Sequence, residues 1–183
     1  EWVLKFLKYF VILAGVMLVF YLLTFPGVWC NDEYTILEYS KRFILYGWHH
    51  VFTEVVYIIS MFLFINPIFI VLFQLLLASV IAAYVLTELT EVIESKVGKK
   101  SKWCYLMLVP FLLPSSIIQV LNPLRLTLYA FVEVLVIYEI FAIGIKRKRL
   151  SVKSAIFLGM LTAILAFWRS ESILYLILLP LSL

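Results

Sequence analysis

Asp32 and Glu33 stand side by side in FPGVWCNDEY, just past the first long apolar run of a chain that otherwise avoids charge. His49 and His50 follow in WHHVFTE, Arg125 in QVLNPLR, and Arg169 with Glu171 in WRSES. A carboxylate can take the proton of an attacking hydroxyl, and an arginine can clamp a phosphate through paired hydrogen bonds. Brought into one volume, these groups could activate a hydroxyl and hold a phosphate. The two histidines with a carboxylate could also bind a divalent metal, although adjacent residues rarely ligate one ion together. No other cofactor is called for. Each residue also has a plainer use. Asp32 can cap a helix. Glu33 can simply be solvated, and the histidines can mark the membrane interface. Arg125 can anchor at the headgroups, while Arg169 can snorkel from a helix end and pair locally with Glu171.

Whether these groups meet depends on the elements between them. Of 183 residues, 65% are apolar and 14% charged, with a mean hydropathy of +1.10. Soluble domains carry about a quarter charged residues, and apolar runs of about 20 residues cross membranes as helices. The expected fold is all-α: a polytopic helical membrane protein with about six transmembrane helices and amphipathic helices on its outer face. Residues 1–183 form a single transmembrane domain, with 26–66 as an outer loop. The run 6–25 is too long for a signal peptide and is followed by no small-residue cleavage site, so it reads as a retained anchor. The chain ends inside the apolar run 173–183, and continuation beyond it is expected.

Charge assigns the sides. Lysine and arginine favour the cytoplasmic face, which makes the net charge of +4 a topology signal before a nucleic-acid patch; no nucleic-acid partner is expected. The basic clusters are Lys5 with Lys8, 96–102, and 146–149 with Lys153. If all three are cytoplasmic, an even number of spans separates the first two. The apolar stretches are 6–25, 51–65, 67–87, 103–121, 126–145, 154–168 and 172–183. The segment 51–65 is the weakest candidate, at roughly 22 Å against a ~30 Å core, and it carries Glu54 one turn in. It is expected to lie in the outer interface, and Asn66-Pro67 breaks it from the next span. If it crosses instead, the 96–102 cluster moves outside. On the preferred map the N-terminus is cytoplasmic, and eleven of the fifteen basic residues lie inside. Segment 34–46 is an amphipathic surface helix, with Glu38 and Arg42 paired four apart. Residues 88–98 extend the second span as far as Gly98. Cys30 and Cys104 fall on opposite faces, so no disulfide is expected. Both histidines, the acidic pair, Arg125, Arg169 and Glu171 fall on the outer face. Glu133 and Glu139 lie within 126–145, where they should face protein or a cavity.

The order of these features resembles the GT-C superfamily of membrane glycosyltransferases. It is similar to the protein O-mannosyltransferases and the aminoarabinose transferases of lipid A. Asp32-Glu33 with Tyr34 matches the acidic motif of their first outer loop. WHHVFTE falls where they carry a His-Pro-Pro-Leu type motif, without its prolines. Trp168, Arg169 and Glu171 match an arginine at the outer end of a later helix.

The resemblance implies a polyprenyl-phosphate sugar as donor, an acceptor hydroxyl from the aqueous side and membrane lipid around the donor's tail. It implies a plasma membrane, bacterial or archaeal. Asp32 would be the base, Glu33 or His50 would orient sugar or acceptor, and Arg125 and Arg169 would neutralise the leaving phosphate. Full-length members have more spans, so a further membrane subunit or a C-terminal part would complete the protein. Two other classes stay open: a non-catalytic membrane subunit or scaffold, and a transporter of a lipid-linked anion with Glu133 and Glu139 along its path.

Overall fold

A computed structural model describes residues 1–45, 51–63, 66–98, 102–123, 125–146, 151–169 and 172–182. For Arg125, Ile145, Lys146 and 178–182 it describes the backbone course only. The described residues are helical, with no strand among them. They form α1 (Trp2–Leu23), α2 (Asn31–Lys41), α3 (Val51–Leu63) and α4 (Phe69–Val97). A 3-10 segment (Lys102–Leu108) leads into α5 (Val109–Leu112) and α6 (Pro114–Leu121), followed by α7 (Arg125–Lys146), α8 (Val152–Trp168) and α9 (Ile173–Ser182). Three helices, α1, α4 and 126–144 of α7, are long and apolar enough to cross a membrane. The bent pair 102–112 and 114–121 would make a fourth.

The centre is an antiparallel pair. Tyr9, Leu13, Met17 and Tyr21 recur every four residues on α1 and are buried, forming one stripe along the helix. They face α4, whose Ala78, Ser79, Ala82 and Ala83 are fully buried. Small residues let two helices approach closely, and in lipid this packing replaces the hydrophobic drive. Contacts run in opposite order along the pair: Lys5 meets Glu94, Tyr9 meets Thr90, Met17 meets Ser79, and Tyr21 reaches the Ile68 carbonyl. At 29 residues, α4 is about 43 Å long and overshoots a ~30 Å hydrocarbon core. Its polar end stops at Gly98, whose φ of +69° is left-handed and suits glycine.

One expected span is broken. Pro114 has no N–H to donate and clashes with the preceding turn, so Leu113 turns extended (φ −63°, ψ 143°). The chain bends by 55° there, and the helix restarts with proline in its first turn, where proline is tolerated. The segment still traverses the bundle. Tyr105 lies against Tyr9 near the start of α1, while the Leu121 carbonyl accepts from Val28 N–H just beyond α1's far end. Gly27 makes that approach: its φ is +109°, and a Cβ there would sit 2.8 Å from the Leu121 oxygen.

α7 runs parallel to α4, with Asn122 near Gln74 at one end and Tyr138 near Glu88 at the other. α8 returns antiparallel, bringing Trp168 to Tyr129. The bundle therefore has two distinct ends. Lys5, Lys8, Lys96, Lys102 and Lys153 gather at the basic end. Residues 24–31, α2, α3, 66–68, 121–123, Trp168, Arg169 and Ser172 gather at the other. Among the described residues, α3 meets its partners at that second end: Trp168 against Phe52 and Thr53, the Pro123 carbonyl against Tyr57, and Phe43 against Phe62. α3 thus lies across the end of the bundle rather than through it. Cys30 and Cys104 are unpaired.

Candidate functional site

The acidic pair divides its labour, and not as the plainer readings would have it. Asp32 is exposed at the second position of α2, and Glu33 is fully buried at the third. Glu33 Oε2 accepts the Cys30 N–H at 2.7 Å. That is the reciprocal half of a capping box, with Cys30 at the cap and Glu33 three residues on. The expected roles are exchanged: Glu33 secures the helix start and Asp32 is left facing out. A carboxylate so near a helix N-terminus also sits favourably in the helix dipole. The far end of α2 is fixed too. Phe43 adopts φ 56°, and Ile44 and Phe43 N–H reach back to the Tyr39 and Ser40 carbonyls, the pattern of a Schellman stop.

Beneath α2, a small core of Ile36, Leu37, Tyr57 and Ile70 packs with Trp29 and Met61. Tyr57 is its pivot. Its hydroxyl donates to the Pro123 carbonyl at 2.7 Å. Burial, with Glu33 adding its charge, pushes the phenol well above its usual range, so Tyr57 stays a neutral donor. One turn back on α3, Thr53 Oγ1 accepts from the Trp168 indole at 3.1 Å. α3 thereby ties the acidic helix to Pro123 and to Trp168 at the end of α8. Glu54, between those two contacts, is also fully buried.

Arg125 begins α7, two residues past Pro123. Arg169 follows the last residue of α8, half-buried, with its guanidinium 5.5 Å from the centre of the Tyr129 ring, within cation–π reach. The Tyr129 hydroxyl is 2.6 Å from Ser172 Oγ. Glu133 accepts from the hydroxyls of Tyr175 and Tyr129, and Glu139 accepts from Tyr84 at 2.9 Å. The two glutamates of α7 therefore face protein, but on different sides of the helix: Glu133 toward α9 and Glu139 toward α4. His49, His50 and Glu171 lie outside the described residues. Among the described residues, no group of three or more His, Cys, Asp or Glu could hold a metal ion.

A groove of about 470 Å³ opens between the broken helix and α7, lined by Pro110, Phe111, Gln119, Thr127 and Phe131 among others. It begins beside Gln119 and follows α7 from Leu126 to Val134, about 12 Å along the helix. Among the described residues, neither Asp32 nor Glu33 lines it. Its link to the acidic helix runs through Tyr57 and Pro123. Tyr57, Thr53 and Tyr129 were not singled out from sequence. Each acts across the fold, on a partner from 43 to 115 residues away in the chain. No family model, curated protein or solved structure matches the chain.

Proposed function

We propose that this chain is the donor-handling domain of a GT-C-type membrane glycosyltransferase, moving a sugar from a polyprenyl phosphate to a hydroxyl acceptor. In this reading α1, α4, the bent 102–121 helix, α7, α8 and the start of α9 are the six spans. The basic end is cytoplasmic, and α2 lies on the outer face. The observation that carries it is Asp32: an exposed carboxylate on a helix capped at both ends, tied through Tyr57 to the turn where an apolar groove opens.

The chemistry follows from those positions. The acceptor oxygen gives its proton to an Asp32 carboxylate oxygen as it bonds to the anomeric carbon. The bond from that carbon to the phosphate oxygen breaks, and its electron pair leaves on the polyprenyl phosphate. Arg125 and Arg169 offset the growing charge on that phosphate, and the donor's tail lies along α7 in the groove. Glu33 keeps the start of α2, and so Asp32, in place. His50 is the candidate to orient the sugar. A polar path through the bilayer for a transported anion gains less support, because Glu133 and Glu139 point to different neighbours.

The test is Asp32→Asn in protein supplied with a polyprenyl-phosphate sugar and an acceptor. Transfer should fall about 10²- to 10⁴-fold, the usual contribution of a positioned base, with donor binding retained. A wild-type rate in folded Asp32→Asn protein removes the base role.

A further inference from the structure

The basic end contains a second cavity, independent of the proposed transfer site. The first turns of α1 lie against the last turns of α4 and are fastened there. The Trp2 indole donates to Glu88 at 2.8 Å, and the Lys5 ammonium meets Glu91 at 2.5 Å and Glu94 at 2.7 Å. The 3-10 segment closes the third side, burying Cys104 and standing Tyr105 beside Tyr9. Between the three lies a space of about 410 Å³, lined by Glu1, Lys5, Lys8, Glu94, Lys102 and Tyr105 among others.

The lysines around it are not equivalent. Lys5 is neutralised by its two glutamates. Lys8 and Lys102 have no acidic partner among the described residues. Lys8 is instead held with its ammonium 4.8 Å from the centre of the Tyr105 ring. That contact orients the charge and leaves it available to an anion. A topology signal needs only positive charge on one side. It requires neither a walled cavity nor a lysine seated on a tyrosine. The surroundings of the cavity are apolar and exposed: Leu4 lines it, and Trp103 and Leu106 adjoin the Lys102 and Tyr105 walls. A soluble anion gains nothing from such a rim, whereas a lipid's acyl chains would lie along it. Tryptophan also favours the depth of the headgroups.

We propose that this cavity seats the phosphate of an anionic phospholipid, with Lys8 and Lys102 flanking it and the acyl chains running past Leu4 and Leu106. The protein, purified in detergent, is mixed with phosphatidylglycerol or phosphatidylcholine, and retained lipid is counted by native mass spectrometry. One phosphatidylglycerol should be retained in preference to phosphatidylcholine. Lys8→Gln with Lys102→Gln should weaken that retention about thirtyfold, roughly fivefold per lysine near a membrane surface. The control is Lys96→Gln with Lys153→Gln, two exposed lysines of the same end that do not line the cavity, and it should change retention little. Equal retention of the two lipids overturns the proposal, and so does an equal loss in the control, which means diffuse charge. Glycerol phosphate displacing the lipid at matched concentration overturns it in favour of a soluble phosphate. If the double variant fails to insert, exposed Lys102→Gln alone carries the test, with a fivefold loss expected and no loss overturning the assignment.

Discussion

The two ends of the bundle differ in where their long-range polar bonds go. At the basic end side chain meets side chain: Trp2 with Glu88, Lys5 with Glu91 and Glu94, Tyr84 with Glu139, Tyr138 with Glu88. At the other end side-chain pairs persist, as in Trp168 with Thr53 and Tyr129 with Ser172, but they are joined by long-range bonds from side chain to backbone. Tyr21 bonds the Ile68 carbonyl, Tyr57 that of Pro123, Gln74 those of Val120 and Asn122, and Thr127 that of Gln119. Each of those carbonyls lies at or next to a helix break. Within a bilayer, irregular backbone is tolerated only where protein or a water-filled cavity satisfies it. The basic end is therefore a set of cross-braces between regular helices. The other end invests buried side chains in holding turns open, and it leaves Asp32 exposed among them. That difference is what favours a site at the second end.

If the comparison holds, the largest effect belongs to Asp32. Asp32→Asn should cost transfer two or more orders of magnitude and lower stability by only about 0.3–1 kcal/mol, its share of the helix dipole, since the side chain is exposed and holds no turn. Next comes Gln74. It is buried, with its amide split between two carbonyls at 2.8 and 2.7 Å. Gln74→Leu strands both, at about 2–3 kcal/mol. It should also loosen the 120–123 turn beside the groove, so donor affinity should fall with stability. Unfolding in detergent and donor titration on the same preparation would show whether the two losses travel together.

Lys5→Met probes the other end. It leaves Glu91 and Glu94 without their shared cation in a partly exposed place, costing about 1–2 kcal/mol. Donor affinity and the transfer rate per folded molecule should not change. A drop in donor affinity matching that of Gln74→Leu would mean that the two ends are coupled and that the contrast is only one of chemistry.

Much of this plan is legible in the sequence. The long α4 with its Gly98 stop and the short helix of 51–63 follow from length and caps, whereas the surface helix expected over 34–46 instead spans Asn31–Lys41 and takes the acidic pair into its first turn. The gathering of α2, α3 and the ends of α6 and α8 at one end is legible too, because basic clusters indicate which helix ends share a side. The break at 113–114 was legible in LVPFLLPSS but was outweighed by the hydropathy of the run. What no single sequence carries is pairing at long range. Tyr57 with Pro123, and Trp168 with Thr53, depend on how α3 lies across the bundle. The division of labour at 32–33 had a local signal, a cap position with glutamate three residues on. Cysteine is an unusual cap, which made Asp32 the more natural candidate.

That division yields the smallest and most discriminating effect. Glu33 Oε2 holds the Cys30 N–H, while its Oε1 is buried with no partner among the described residues. Glutamine serves a capping box as well as glutamate does, and it removes a charge from a site with no cation among its described contacts. Glu33→Gln should therefore leave both stability and transfer close to wild type. Glu33→Ala loses the cap and should cost about 1 kcal/mol, with a modest fall in transfer as α2 frays and Asp32 loosens. Unfolding and transfer rates of the two variants separate structure from chemistry. If the Gln variant lost transfer as heavily as Asp32→Asn while remaining folded, the buried carboxylate would have to be reached by substrate. The pair would then act as one acid–base unit, and the contrast between a positioning glutamate and a reacting aspartate would fail.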